Sequence, residues 1–333
     1  MKEIYISDLA RFDENHVHES HYLVLSKQQR TTRTAKPYLS LILGDNTGQI
    51  EARVWDPTDP RVAADFSKGD VVKLRGTVSK FEGVLQLKIE RLRKLTATEF
   101  DRTDLLPATT YDIAELWTKL EQAVASFTDP DLQRLITAIL ADPAIRAAFG
   151  EAPAAKQLHH AWLGGLLEHV VSLIGLADRV VPHYPMLMRD LVLTGILLHD
   201  IGKIRELSWE TGFEYTLEGQ LLGHIQIGAA LVEKTIDSLP GFPPRLKTLV
   251  LHMILSHHGK LEFGSPKLPM IPEALMLNFL DDIDAKMQTI ATEFQKSERQ
   301  GKGPGEMTDR IWALDQRTML NSRAWLKAVE DSD

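Results

Sequence analysis

The stretch GILLHDIGK, residues 195–203, decides how most of this chain is read. Small and apolar residues run directly into His199 and Asp200, an imidazole beside a carboxylate. A buried histidine needs one partner, and a capping aspartate needs no histidine. Taken out of water, unpaired polar and charged groups are costly. The pair at the end of an apolar segment therefore points to a doubly charged species held between its side chains.

Outward from that pair the apolar residues recur with a helical period from about residue 110. Asp112 precedes IAELWTKLEQAVASF, and Asp129-Pro130 and Asp142-Pro143 are N-caps followed by proline at the first helical position. Further helices are predicted over 156–181, 186–199, 220–238, 243–257, 271–295 and 308–328. Four more of the 12 histidines fall in or at the ends of these apolar segments. They are His169 in GGLLEHVVSL, His224 in LLGHIQIG, and His257 with His258 in ILSHHGK. Taken singly, each reads as a satisfied core or surface residue. Five together, with the His199–Asp200 pair and Asp281 in FLDDIDAK, read better as metal ligands. The chain has no cysteine, so disulfides and thiolate sites are excluded and any metal must be held by His, Asp and Glu.

Residues 20–95 have a different period. HYLVLSKQQRTT, PYLSLILGD, GQIEARVWD, DVVKLRGTVSKF and GVLQLKIERL alternate apolar and polar positions. The turns DNTG (45–48), KGD (68–70) and FEG (81–83) punctuate them, each with a glycine where an unusual φ is expected. Five such strands suit a small barrel, and YLSLILGDNTGQIEARVWD resembles an OB-fold of the nucleic-acid-binding type; a small barrel used only for protein contacts is the alternative. The expected architecture is multi-domain, α and β: an N-terminal OB-type β-barrel over 1–95, a linker over 96–111, and an all-α helical bundle over 112–333.

The ordered pattern H…HD…H…HH…D resembles the HD superfamily of metal-dependent phosphohydrolases, with all motif elements between residues 156 and 286. The resemblance implies a dinuclear centre: one metal on His169, His199, Asp200 and Asp281, a second on His224, His257 and His258, with Asp200 bridging. In that family the last ligand is the first acid of a DxxDA phrase, which selects Asp281 and leaves Asp284 as an acceptor behind it. Helical geometry agrees, since 281 and 284 share a face while 282 is turned by about 100°; Asp282 is the rival ligand. Such a pair of cations, about 3.5–4 Å apart, generates a metal-bound hydroxide at neutral pH and holds a phosphate oxygen. Imidazole and carboxylate donors suit Mn²⁺, Fe²⁺, Co²⁺ or Zn²⁺ better than Mg²⁺, and the resemblance favours Mn²⁺.

Asp200 and Lys203 are the catalytic candidates, Lys203 through its ammonium if the helix continues past His199. The alternative for Lys203 is a solvated helix end. Lys260, in the loop GKLEFGSPKLP, and His159 and His160, in QLHHAWLGG, are candidate substrate or supporting contacts. On the barrel, Tyr38, Trp55 and Phe81 are candidate stacking residues, and Arg53, Lys73, Arg75, Lys80 and Lys88 candidate phosphate contacts. Trp55 is equally readable as core.

A GYP phrase, expected after the double histidine of cyclic-dinucleotide hydrolases, is missing from HHGKLEFGSP. The OB barrel joined to HHAWLGGLLEHVVSL, HDIGK, SHHGKLEFGSP and DAKM resembles instead the YhaM-type bacterial 3′→5′ exoribonucleases, over roughly residues 20–295. That resemblance implies hydrolysis of single-stranded RNA, with single-stranded DNA as a second substrate, to 5′-monophosphates. A nucleotide or small phosphate-ester hydrolase that uses its barrel for assembly is the alternative. The net charge of −8 is uneven: residues 1–100 hold 16 Lys+Arg against 14 Asp+Glu, and the acidic excess lies beyond them. No signal-peptide core or membrane-length apolar run is present, so a cytoplasmic protein with no membrane partner is expected. RIWALDQRTMLNSRAWLKAV (310–329) could close the helical core or serve a homo-oligomer contact.

Overall fold

The computed structural model describes residues 2–63, 65–156, 160–210 and 212–330. Two compact units are present, the first built on residues up to Ala108 and the second beginning at Thr109.

Five strands form the first unit: β1 (Val17–Thr31), β2 (Pro37–Asp45), β3 (Gly48–Val54), β4 (Val71–Phe81) and β5 (Val84–Lys94). They close into a barrel of order β1-β2-β3-β5-β4. β1 pairs with β4 through Val17–Leu23 and with β2 through Leu23–Thr31, and its register slips between Val24 and Ser26. A bulge of this kind bends a strand, which lets one strand serve both open edges. Side chains alternate inward and outward along a strand. Tyr22, Leu41, Leu43, Ala52, Leu74 and Leu87 fill the interior, joined by Leu9 and Phe66. Lys2 is buried with them, its Nζ 2.8 Å from an Asp45 carboxylate oxygen and donating to the His21 carbonyl at 2.6 Å.

The turns differ in how they reverse the chain. Glu82 (φ +51°) and Gly83 (φ +83°) make a two-residue hairpin with both residues left-handed, the form that matches strand twist. Gly48 has no left-handed φ, contrary to expectation. There the Asp45 carboxylate accepts from the Thr47 N–H and hydroxyl and shapes the turn itself. Of the stretch expected to link the units, residues up to 108 belong to the first. Asp104 accepts from the Tyr5 hydroxyl at 2.6 Å, and Leu105 and Leu106 are buried.

The second unit is helical: α1 (Ile113–Ala125), α2 (Pro130–Leu140), α3 (Pro143–Glu151), α4 (Gly165–Val180), α5 (Arg189–Leu198), α6 (Lys203–Glu206), α7 (Leu217–Asp237), α8 (Pro244–Ser256), α9 (Pro272–Arg299) and α10 (Ser322–Glu330). A two-stranded ribbon, Leu207–Ser208 with Glu214–Tyr215, adds a strand element that the all-helical expectation lacked. Asp112, Asp129 and Asp142 each accept from two backbone N–H groups of the following turn, as N-caps do. α5 is the central helix, with every residue from Asp190 to Leu198 buried, and it packs against α2, α4, α8 and α9. Two predicted helices are shorter than expected. α4 begins at Gly165 rather than 156, after left-handed His160 and Gly164. Residues 308–321 form a turn closed by an Ile311–Arg317 bridge around a single 3₁₀ turn, Trp312–Leu314, and the α-helix spans Ser322–Glu330 alone.

Candidate metal centre

His199 is the C-cap of α5 and His257 the C-cap of α8. The last carbonyls of a helix have no partner within it, and each of these histidines uses one. His199 Nδ1 donates to the Ile196 carbonyl at 2.9 Å, and His257 Nδ1 to the Ile254 carbonyl at 2.7 Å. The other three imidazoles are held in the same way. His258 Nδ1 donates to the Phe263 carbonyl at 2.7 Å, His224 Nδ1 to Glu206 at 3.0 Å, and His169 Nδ1 to Asp284 at 2.8 Å.

With Nδ1 occupied, every Nε2 is the remaining donor atom, and the rings stand in a chain. Centroids are 5.5 Å apart for His169–His199, 5.0 Å for His199–His257, 5.6 Å for His224–His257 and 4.3 Å for His257–His258. Asp200 lies among them, 3.3 Å from His199 Nε2, 3.4 Å from His224 Nε2 and 3.7 Å from His257 Nε2. Asp281 reaches His169 Nε2 at 3.3 Å. Asp282 turns outward to Lys286, at 2.6 Å.

Among the described residues, Nε2 of His199, His224 and His257 and Oδ1 of Asp200 are buried without a hydrogen-bond partner. Buried polar atoms are rarely left so. His224, His257 and His258 can converge on one ion, and His169, His199 and Asp281 on another. Imidazoles locked through Nδ1 by a carbonyl or carboxylate, with Nε2 facing inward, are the usual arrangement of metal-bound histidine. This donor set fits divalent cations. Two helix C-termini add their negative ends, which also favour positive charge.

Charge in the pocket is arranged accordingly. Burial opposes ionisation of Asp200, but Lys203 and the surrounding imidazoles outweigh it and hold its carboxyl well below the usual range. Burial likewise works against the Lys203 ammonium, and Asp200, 2.6 Å away, keeps it charged and raises its pKa. Burial pushes the His257 and His258 imidazoles down, toward the neutral form that binds metal. His169 is the exception. Burial works against its protonated form, yet Asp281 and Asp284 prevail and raise it to about 9, so a cation must displace a proton there.

The structure brings His169, His199, Asp200, His224, His257, His258, Asp281 and Lys203 together. Asp284 stands behind His169, gripped also by His160 Nε2 at 2.9 Å and by the Ser172 hydroxyl at 2.5 Å. Lys260 is exposed and pairs with Glu262 at 3.4 Å. His159 lies outside the described residues. Sequence reasoning missed Glu206, Ser172 and Glu168; Glu168 accepts from Trp162 Nε1 at 2.7 Å beside His160. Two glycines shape the pocket. A Cβ on Gly202 would stand 2.0 Å from the His224 carbonyl oxygen, so the turn after Asp200 needs glycine there to lie against α7. Gly223 has φ +72° and kinks α7 so that the His224 N–H also reaches Glu206, at 2.9 Å.

On the barrel the nucleic-acid candidates fall into two groups. Tyr38 and Trp55 rings lie 5.1 Å apart, and the Arg53 guanidinium sits over both Trp55 (5.7 Å) and Phe81 (5.0 Å). Trp55 and Phe81 are 44% and 51% exposed, which places Trp55 on the surface rather than in the core. Lys88 pairs in register with Arg53, and both it and Lys80 are exposed. Lys73 and Arg75 lie apart from that group, near the start of β4.

Comparison with known proteins agrees with this geometry. Residues 23–95 match a family described as OB-fold nucleic acid binding domain, and residues 166–286 match the HD domain family. The chain is 38% identical over 297 residues to a protein of Geobacillus sp. named 3′-5′ exoribonuclease YhaM, covering 89% of each chain. Proteins of that name from Shouchella clausii (36% over 319 residues, 94% of this chain and 95% of that one) and Bacillus subtilis (36% over 301 residues, 90% and 93%) are similar over the same extent. With both domains matched in one order and nearly the whole length shared, the chain belongs to the YhaM family of 3′–5′ exoribonucleases.

Proposed function

We propose that the chain is a metal-dependent 3′→5′ exoribonuclease that removes 5′-monophosphates from single-stranded RNA, and from single-stranded DNA as a second substrate. The observation that carries this is the cage of five imidazoles, each fixed through Nδ1 from behind, with Nε2 of His199, His224 and His257 around Asp200, that of His169 at Asp281 and that of His258 beside His224 and His257. His169, His199, Asp200 and Asp281 would hold one divalent cation, and His224, His257 and His258 the other, with Asp200 shared. Mn²⁺ is the proposed metal. Bound there, the cations supply Lewis acidity toward a phosphodiester and an activated water.

The chain's own residues do the rest. Lys203 holds one oxygen of Asp200 at 2.6 Å and so aims the other at His224 and His257. Its ammonium stays charged at neutral pH and meets the negative charge that develops on the phosphate in the transition state. His160 and Ser172 fix Asp284, which fixes the His169 ring. On the barrel, Tyr38, Trp55 and Phe81 stack bases without regard to sequence, while Arg53 and Lys88 meet the backbone. No helix among the described residues is long and apolar enough to cross a membrane. The cytoplasm, where single-stranded RNA is met, is the proposed location of the activity.

The test is a 5′-labelled single-stranded RNA incubated with Mn²⁺ and either the wild type or Asp200→Ala. A ladder shortening one nucleotide at a time in the wild type, and none in the variant, is expected. Internal fragments, turnover of mononucleotides with intact RNA, or an active variant would overturn the proposal.

A further inference from the structure

At the other end of the β4–β5 hairpin from Phe81 lies a cleft of about 450 Å³ lined by Glu19, Arg61, Lys73, Arg75, Arg91 and Arg93. Three of the five cations are neutralised locally. Arg61 is held by Asp59 at 2.6 Å, Lys73 by Glu19 at 2.7 Å and Arg93 by Glu99 at 2.8 Å. Arg75 and Arg91 form no ion pair among the described residues, and Glu19, whose field reaches both, is committed to Lys73. These two arginines are directly opposite one another in the β4–β5 register, at the point where it slips between Arg75 and Gly76. Like charges directly across a strand pair destabilise it. Here an exposed pair is set into a concave surface, where an anion between them would relieve the repulsion.

We propose that this cleft binds the backbone phosphates of a polynucleotide, at a site separate from the aromatic platform. Arg75 lies six residues along β4 from Phe81, roughly 20 Å at the rise of a strand. A strand that stacks its bases at Tyr38, Trp55 and Phe81 would need several more nucleotides to reach the guanidiniums. Arginine's fork suits paired phosphate oxygens, and the cleft has no exposed aromatic ring to read a base. Its contribution is therefore length-dependent and sequence-independent. It rests on the reading of the barrel as a nucleic-acid surface, not on the metal centre.

The experiment measures binding of the full chain to single-stranded RNA in EDTA, where turnover stops, as a function of salt. Each phosphate contact on a single strand adds about 0.7 to the slope of log K against log[salt]. The double variant Arg75→Gln/Arg91→Gln is expected to lower the slope by roughly 1.4, with a thermal midpoint no lower than that of the wild type. Trp55→Ala should weaken binding with the slope unchanged. A second arm uses inorganic pyrophosphate and an abasic oligonucleotide as competitors, and the abasic strand is expected to compete more strongly. An unchanged slope in the double variant overturns the proposal, and so does pyrophosphate competing as well as the abasic strand. Because no metal is present, either result leaves the exonuclease reading to its own test.

Discussion

Glu206→Gln is the most informative perturbation of the metal centre, since it changes one charge and almost no volume. A single oxygen of Glu206 accepts both the backbone N–H of His224 at 2.9 Å and the ring Nδ1–H at 3.0 Å. Burial raises its pKa, but His224 and Lys203 prevail and keep it ionised. A hydrogen bond to a charged group is worth about 1.5–3 kcal/mol net, and a neutral one about 0.5–1.5. Replacing the carboxylate with an amide at both contacts should weaken the hold on His224 by about 1–3 kcal/mol, or roughly 5- to 150-fold in metal affinity at 1.4 kcal/mol per decade. Ligand-orienting groups elsewhere show losses of about 10–100-fold. The loss should fall on the ion held by His224, His257 and His258, not on the one held by His169 and Asp281. Metal content after dialysis should drop from two ions per chain toward one, and half-maximal activity should require about 10–100-fold more Mn²⁺. Unchanged metal content together with an unshifted titration would refute the claim that Glu206 sets the donor strength of His224.

Further expectations concern other charged groups. Asp284→Asn should mirror the Glu206 result at the other ion, because it loosens His169, with metal content again the readout. Lys203→Met leaves the Asp200 charge buried, which costs about 3–5 kcal/mol when one partner of a buried pair is removed. That loss should appear in EDTA and shrink when Mn²⁺ restores a positive charge, and a variant equally stable with and without metal would count against it. The barrel should be acid-sensitive through His18, which is buried and pushed down to about 4, by burial first and then by His16 and Lys2. A depressed folded pKa means that the unfolded chain binds the proton first, so stability is full above the unfolded value of about 6.5 and falls as pH drops toward 4. Between pH 7 and 5 the loss should be about 2 kcal/mol, read from exchange of barrel amides. His18→Gln should flatten most of that slope and leave the part due to His21, which burial also pushes down.

How much of this could be read in advance differs between the two units. Period-2 alternation fixed four strands to within a residue or two, and β1 merely begins earlier, at Val17. What alternation cannot express is that one strand bends to pair on both sides, since that depends on a bulge between Val24 and Ser26. In the helical unit the aspartate caps located α1 to α3 because a cap is a local device. Residues 308–321 failed for the converse reason. RIWALDQRTML has the composition of a helix, yet Asp315 and Gln316 are left-handed, and the Met319 N–H bonds back to the Thr308 hydroxyl at 2.9 Å. Tertiary contacts override a propensity of a few tenths of a kcal/mol per residue, roughly the spread among ordinary residues.

The metal centre divides along the same line. His199–Asp200, His257–His258 and Asp281–Asp284 were legible because each pair is set by spacing within one element. Glu206 was not, because its approach to His224 depends on the kink at Gly223 and on α7 lying against the turn at Gly202. Between these extremes stand the carbonyls of Ile196 and Ile254. No side-chain motif names them, yet both follow from position: a histidine that caps a helix has an unpaired carbonyl three residues behind it. That geometry explains why the imidazole and the carboxylate sit at the end of a buried helix rather than in its middle. One turn earlier, the carbonyl three residues behind the histidine would be engaged within the helix, Nδ1 would have to find a partner elsewhere, and the ring could settle with either nitrogen inward. At the C-cap the backbone itself selects the tautomer, Asp200 is free to turn away from the helix axis, and the negative end of the helix faces the position proposed for the cation.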